Sequence, residues 1–200
     1  MNAWENGYFE KQILEVPEAL HKDEGVREET TKEILSQLKP AFKPDGVITA
    51  GNSSQISDGA AALLLVSEDI LNKFNLEPIA KIRSMAVVGT DPVLMLSGPI
   101  PATRKALDQA KLKPEDINLA EINEAFSSVV GAWRKEFPEI NYENVNANGG
   151  SIAIGHPLGA TGARLMTNLI HEMKRNKLKY GLQAICEGGG TANATIVELV

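Results

Sequence analysis

Cys186 is the only cysteine among 200 residues, and it stands just before Glu187 and three consecutive glycines, Gly188, Gly189 and Gly190. Three adjacent glycines forfeit conformational entropy, and they suit a sharp turn or backbone that must come close to a ligand. Their N–H groups could stabilise a developing oxyanion. A thiol beside them could act as base or nucleophile if its pKa were lowered; the plainer reading is a small buried hydrophobe. His156 lies in Gly155-His156-Pro157, within a second glycine-rich loop. Pro157 fixes the backbone there and the flanking glycines clear space around the imidazole, which suits a residue that meets a substrate. An imidazole that meets only solvent is the alternative, and it is the reading for His21 in the charged loop and His171 on the long helix. Asn123 opens Asn-Glu-Ala-Phe at a strand-to-helix transition. Asn is a favoured helix N-cap, and on that reading Glu121 and Glu124 are ordinary acids at a helix start.

The elements that must position these three residues follow from period and punctuation. Residues 2–7 read as the last turn of a helix ending at Gly7, and residues 12–16 alternate like a short strand. Residues 21–31 are polar and charged, and residues 31–38 form a short helix stopped before Pro40. Strand patterns recur at 47–50, 79–88 and 118–121. The apolar run 61–67 has the length of a buried strand, and Ser67 caps a helix to about Phe74. Further helices are expected over 99–111, 124–136 and 163–176. Two closing strands, 181–186 and 192–199, read as a hairpin across the glycine run. Strands alternating with helices predict an α/β layered domain with a mixed sheet.

Composition narrows the function classes. Hydrophobic content of 43% with 23% charged residues is that of a globular domain. A net charge of −6 without a Lys/Arg cluster argues against a nucleic-acid surface. One cysteine excludes an intramolecular disulfide and a Cys-rich zinc site, so no metal is expected and a reducing, cytoplasmic setting fits. The first twenty residues lack the pattern of a signal peptide and no apolar run could span a membrane, so no membrane association is expected. The glycine loop matches neither the dinucleotide fingerprint nor the P-loop spacing.

Taken together, five segments resemble the thiolase family. They are Ala50-Gly-Asn-Ser-Ser-Gln-Ile-Ser-Asp-Gly-Ala-Ala-Ala62, Asn123-Glu-Ala-Phe126, Asn146-Ala-Asn-Gly-Gly150, Gly155-His-Pro-Leu-Gly-Ala-Thr-Gly-Ala-Arg164 and Cys186-Glu-Gly-Gly-Gly190. Their order and spacing are the family's, and the resemblance covers essentially the whole chain as its carboxy-terminal half. It implies a layered domain with a mixed five-stranded sheet between helices over residues 47–200, preceded by a remnant of the family's loop region over residues 1–46.

The resemblance also implies an acyl transfer between coenzyme A and a 3-ketoacyl-CoA, an acetyl-CoA acyltransferase activity. By match to the family, His156 activates a cysteine of the amino-terminal half and helps form an oxyanion hole. Asn123 holds the water that completes that hole, Cys186 exchanges the proton at the substrate's α-carbon, and the N–H of Gly188 serves a second hole. Coenzyme A contacts match to Arg27, Phe42, Ala50 and Ser54, with Met95 and Phe126 near the acyl group. A family serine on the short helix before Pro40 is Ile34 here. Coenzyme A and acyl-CoA enter as substrates, with no permanently bound cofactor.

The cysteine that becomes acylated in the family has no counterpart here, since Cys186 already matches the other role. The expected partner is therefore an amino-terminal thiolase half or subunit, in an oligomer, and the isolated chain is expected to be inactive. Segments such as Met95-Leu-Ser-Gly-Pro99 look more like the degradative branch, in fatty acid metabolism. A non-catalytic acyl-CoA-binding or scaffold subunit is the competing reading, and a cysteine hydrolase using Cys186 with His156 is a third.

Overall fold

A computed structural model describes all 200 residues. In chain order the elements are α1 (Asn2–Glu5), α2 (Lys32–Ser36), α3 (Glu68–Phe74), β1 (Ala80–Gly89), α4 (Pro99–Ala110), β2 (Leu119–Ile122), α5 (Ser127–Glu136), α6 (Ser151–Ile154), α7 (Thr161–Asn176), β3 (Tyr180–Cys186) and β4 (Thr191–Leu199). The four strands form one sheet in the order β1-β4-β3-β2. β2 pairs parallel with β3, and β4 lies antiparallel between β3 and β1. β1, β2 and β3 therefore point the same way, and their carboxyl ends share one edge of the sheet.

Helices cover both faces. On one, Ala102, Ala106 and Leu107 of α4 and Trp133 of α5 pack against Ala192, Ala194 and Ile196 of β4 and Leu182 and Ala184 of β3. The alanines on α4 and the facing strands allow the helix close to the sheet. Hydrogen bonds pin this layer: Ser84 Oγ donates to the Ala106 carbonyl at 2.8 Å, and Trp133 Nε1 donates to Thr103 Oγ1 at 3.0 Å. On the other face α7 presents Leu165, Leu169 and Met173, four residues apart and all fully buried. Lys177 in the left-handed conformation ends α7, its N–H returning to the last turn. Gly181 marks the closest approach of α7 to β3, since a Cβ there would collide with Met173 Sδ.

The sheet has four strands where five were expected. The fifth position is reduced to a single parallel bridge between Ala120 and Val145. Residues 12–16 form no strand, only one bridge between Val16 and Leu20, and residues 47–50 form none because Thr49 caps a short 3₁₀ turn instead. α5 begins at Ser127, three residues later than expected. The largest departure is the apolar run 61–67, which joins no sheet and lies exposed. Only two of the 44 buried residues, Ala3 and Phe9, precede Ser84. No helix is long and apolar enough to cross a membrane.

Candidate functional site

A cleft of about 470 Å³ opens at the shared carboxyl edge of the strands, where open α/β sheets present their ligand sites. β2 delivers Asn123 to it, β3 delivers Cys186, and the turn into β4 delivers Gly188; His156 arrives on the loop that enters α7. Met95, from the segment after β1, also lines it. Four loops far apart in sequence thus meet because their parent elements end at one edge.

Each polar side chain is held by neighbours that carry no role of their own in the motif reading. His156 is fixed through its backbone, whose N–H donates to the Gln55 carbonyl at 2.9 Å. Its ring Nδ1 lies 2.6 Å from Thr161 Oγ1, and that hydroxyl donates its one proton to the Pro157 carbonyl at 2.9 Å. The hydroxyl oxygen can then only accept from the ring, which places the proton on Nδ1 and leaves Nε2 with a lone pair. Burial, and secondarily the Arg164 guanidinium, push the imidazole below its ordinary pKa. The result is a neutral base with its free nitrogen defined. Gly155, at φ +90°, admits this arrangement because a side chain there would strike Ser57 Oγ.

Asn123 is not the helix cap. It is fully buried, and Phe126 occupies the N-cap position of α5. Its Oδ1 accepts from Ser151 Oγ at 2.7 Å, and Ser151 Oγ accepts from Arg164 Nη2 at 3.2 Å. With the oxygen engaged, Nδ2 is the amide's free donor and has no protein partner. A buried donor without a partner is worth about 1–3 kcal/mol to a group that satisfies it. Nor are the neighbouring acids ordinary. Glu124 accepts from the Ile152 N–H and from Asn146 Nδ2, tying this corner to the glycine loop. Glu121 is buried inside β2, with its pKa pushed up to about 8.

Cys186 is half-buried, and burial raises its thiol pKa, with the Glu187 carboxylate adding to the rise. The lowered value that a resting nucleophile needs is not found. No hydrogen bond joins it to His156. The glycine turn beyond it is pinned by Thr90, whose N–H and hydroxyl both donate to the Gly190 carbonyl, at 2.7 and 3.0 Å. Gly188 is exposed on the cleft wall.

The other expected contacts lie outside this cleft. Phe42 and Phe126 meet edge to face with ring centres 5.9 Å apart, and the Ser54 N–H donates to the Ala125 carbonyl at 3.1 Å. Ala50 sits at the start of the 3₁₀ turn, and Arg27 is exposed in the polar loop. Gln55 Nε2 bridges that loop to the glycine loop, donating to the Gly25 carbonyl at 3.0 Å and the Ile152 carbonyl at 2.9 Å. His171 is half-buried rather than solvated. The residues that sequence reasoning missed, Thr161, Ser151, Arg164 and Gln55, orient the chemical groups. All but Ser151 lie inside quoted motifs, and the five-residue interval from His156 to Thr161, at a helix entrance, was the available signal.

The tautomer is directly measurable. Long-range proton–nitrogen NMR should show His156 protonated at Nδ1 at neutral pH and titrating below the ordinary value of about 6.5. Thr161→Val should mix the tautomers. A titration at or above the ordinary value contradicts the burial argument.

The family model described as "Thiolase, C-terminal domain" matches residues 76–199, and "Thiolase, N-terminal domain" matches residues 1–69. A steroid 3-ketoacyl-CoA thiolase of Mycobacterium tuberculosis is 50% identical over 195 residues, covering 96% of this chain and 47% of that protein. A 3-ketoacyl-CoA thiolase of Bacillus subtilis is 50% identical over 191 residues, with the same coverage of both. Among solved structures, the Bacillus anthracis acetyl-CoA acetyltransferase superposes with a TM-score of 0.93 at 43% identity. It is matched over all of this chain and 52% of its own. Human mitochondrial 3-ketoacyl-CoA thiolase in complex with CoA superposes at 0.91 with 36% identity, over 100% and 51%. The chain spans about half the length of the curated relatives it matches.

Proposed function

The chain belongs to the thiolase family, and we propose that it supplies the acid–base half of an acyltransferase acting on 3-ketoacyl-CoA and coenzyme A. An amino-terminal half contributes the cysteine that becomes acylated. The observation that carries this reading is the convergence of His156, Asn123, Gly188 and Cys186 on one cleft in a chain with a single thiol.

His156 Nε2 takes the proton of the partner half's cysteine, whose thiolate attacks the 3-keto carbon. The N–H of Gly188 faces the oxyanion of that tetrahedral adduct. The adduct collapses with cleavage of the bond between C2 and C3, leaving an acyl-cysteine and the enolate of acetyl-CoA. A water on Asn123 Nδ2, together with the His156 imidazolium, stabilises the enolate oxygen. Cys186 donates its thiol proton to the enolate carbon, then takes a proton from incoming coenzyme A, whose sulfur receives the acyl group. The released cysteine thiolate regains its proton from His156. A thiol held protonated by burial suits the donor step, and it weakens the hydrolase reading, which needs a thiolate at rest.

Arg27, Phe42, Ala50 and Ser54 belong to the proposal as coenzyme A contacts, with Met95 and Phe126 beside the acyl group. So do an oligomeric assembly, a cytoplasmic setting and the division between residues 1–46 and 47–200. The pairing of Ser53 with Phe126 and of Ile56 with His156 supports counting the start of the second segment with the site.

The test is thiolysis of acetoacetyl-CoA and a longer 3-ketoacyl-CoA by the purified chain, alone and with an amino-terminal half. No turnover is expected alone, and turnover is expected from the pair. Turnover by the isolated chain, with host enzyme excluded, overturns the need for a second cysteine.

A further inference from the structure

Arg164 stands where stability alone would not put an arginine. It lies in the first turn of α7, the end at which a helix macrodipole disfavours a cation. Its Nε and Nη1 are buried without a hydrogen-bond partner. Burial pushes its pKa down, against the pull of Glu121, Asp23 and Glu124. Its side-chain hydrogen bond goes instead to Ser151 Oγ, at 3.2 Å. A residue held against so many local preferences is expected at a functional site.

That bond fixes a direction. A guanidinium only donates, so Ser151 Oγ accepts in this contact. The hydroxyl's one proton is left for Asn123, 2.7 Å away, and the atom that takes it is Oδ1. Nδ2 is the end left over, buried without a partner in a residue that lines the cleft. The two ends of a carboxamide have nearly the same shape, so hydrogen bonding and charge decide between them. The reversed amide would aim Nδ2 at an oxygen already drawn towards a cation, and would leave the hydroxyl proton with no acceptor. An unpaired buried donor disfavours that form by a ratio of roughly ten to a hundred.

The same device serves His156 in the opposite sense. Ser151 opens α6 as Thr161 opens α7, and both are buried. Thr161 gives its proton to a carbonyl and so accepts from the imidazole. Ser151 accepts from a cation and so gives its proton to the amide. Each hydroxyl is set from behind, and each sets which atom of its neighbour is left free.

We propose that Arg164 is a positioning residue: acting through Ser151, it turns the Asn123 amide so that Nδ2, and not Oδ1, serves the cleft. This rests on the reading that Asn123 holds a water at an enolate oxygen. A water that accepts from Nδ2 is the stronger donor to that oxygen.

Two measurements test it. In the isolated, isotope-labelled chain, NMR contacts of the Asn123 side-chain amide protons report which end faces residue 151. Contacts to the Ser151 β-protons should be weak in the wild type and strong in Arg164→Leu, and Arg164→Lys should restore the wild-type pattern. Ser151→Ala removes only a hydroxyl and should release the amide likewise, so it carries the test if Arg164→Leu does not fold. The second measurement co-expresses the chain with the part of the Bacillus subtilis 3-ketoacyl-CoA thiolase that lies outside the matched 47%. There Ser151→Ala should slow deuterium exchange into acetyl-CoA at least about tenfold. In a chain already carrying Asn123→Ala it should have no further effect.

Amide contacts that stay as in the wild type in the folded variants overturn the proposal. So does a loss of exchange that is the same with and without Asn123. An amide that turns in the variant chains, beside a wild-type pair that exchanges nothing, leaves the role of Arg164 standing and removes the proposed function. Exchange by the pair with an amide that never turns does the reverse.

Discussion

Cys186→Ala in the assembled enzyme is expected to abolish α-proton exchange into acetyl-CoA while leaving the partner half's cysteine open to acylation. The thiol stands at the carboxyl end of β3 on the cleft wall, and burial holds it protonated. In the proposed scheme it is therefore a proton donor at rest and becomes a base only after giving its proton to an enolate carbon. Under the proposed function, acylation of the partner cysteine relies on His156 Nε2, which this substitution does not touch. Loss of a positioned acid–base group lowers turnover by about 10²–10⁴. The readouts are exchange of deuterium into acetyl-CoA by NMR and mass spectrometry of the protein after incubation with acyl-CoA. An acyl group on Cys186 of the native pair, with none on the partner, would falsify this division of labour. His156→Ala does not discriminate, because it weakens acylation under either scheme.

The elements around this site were legible where a residue's neighbours in sequence are also its neighbours in space. α7 could be read from its apolar spacing, and the β3–β4 hairpin from two strand patterns flanking a glycine run. Ser67 accepts from the Ile70 N–H and caps α3 as its residue type suggests. Reading failed where long-range packing decides. Asn123 carries the local signature of a helix cap, but Ser151, 28 residues away, takes its side-chain oxygen and the helix starts later. Glu121 and Glu124 look alike on paper, yet one is enclosed by β2 and α7 while the other reaches the glycine loop. Residues 61–67 were read as a buried strand from their apolar character. That character is real, yet the run joins none of the four strands, and Leu64 and Leu65 lie exposed. His156 and Cys186 could be named from the glycines around them, whereas Thr161 and Arg164 required knowing how a helix start faces a sheet edge.

Glu121→Gln is expected to remove much of the chain's loss of stability between mildly acid and mildly alkaline pH. Glu121 lies within β2, 1% exposed, and its Oε2 has no hydrogen-bond partner. Burial is the largest influence on its carboxyl. The Arg164 guanidinium pulls the pKa down, Glu124 and Glu172 push it up, and the outcome is about 8 against an ordinary 4.5. The sign follows from proton counting. Between those two values the folded chain keeps a proton that the unfolded chain has released, so stability falls as pH rises through the interval and levels off above about 8. At 1.36 kcal/mol per pH unit the interval corresponds to an upper limit of about 4 kcal/mol at pH 8, and none at acid pH. Glutamine has the shape of the protonated acid and cannot ionise, so it holds the folded state in the form that burial favours. Urea unfolding of wild type and variant should give nearly equal stabilities near pH 5. The variant should be the more stable at pH 8, by roughly 2–4 kcal/mol if no other group compensates. Taking the difference between the two proteins at each pH cancels every carboxylate and histidine they share. Parallel pH profiles would mean that Glu121 ionises as an exposed acid does, and that the polar corner joining Asn123, Ser151 and Arg164 is open to water.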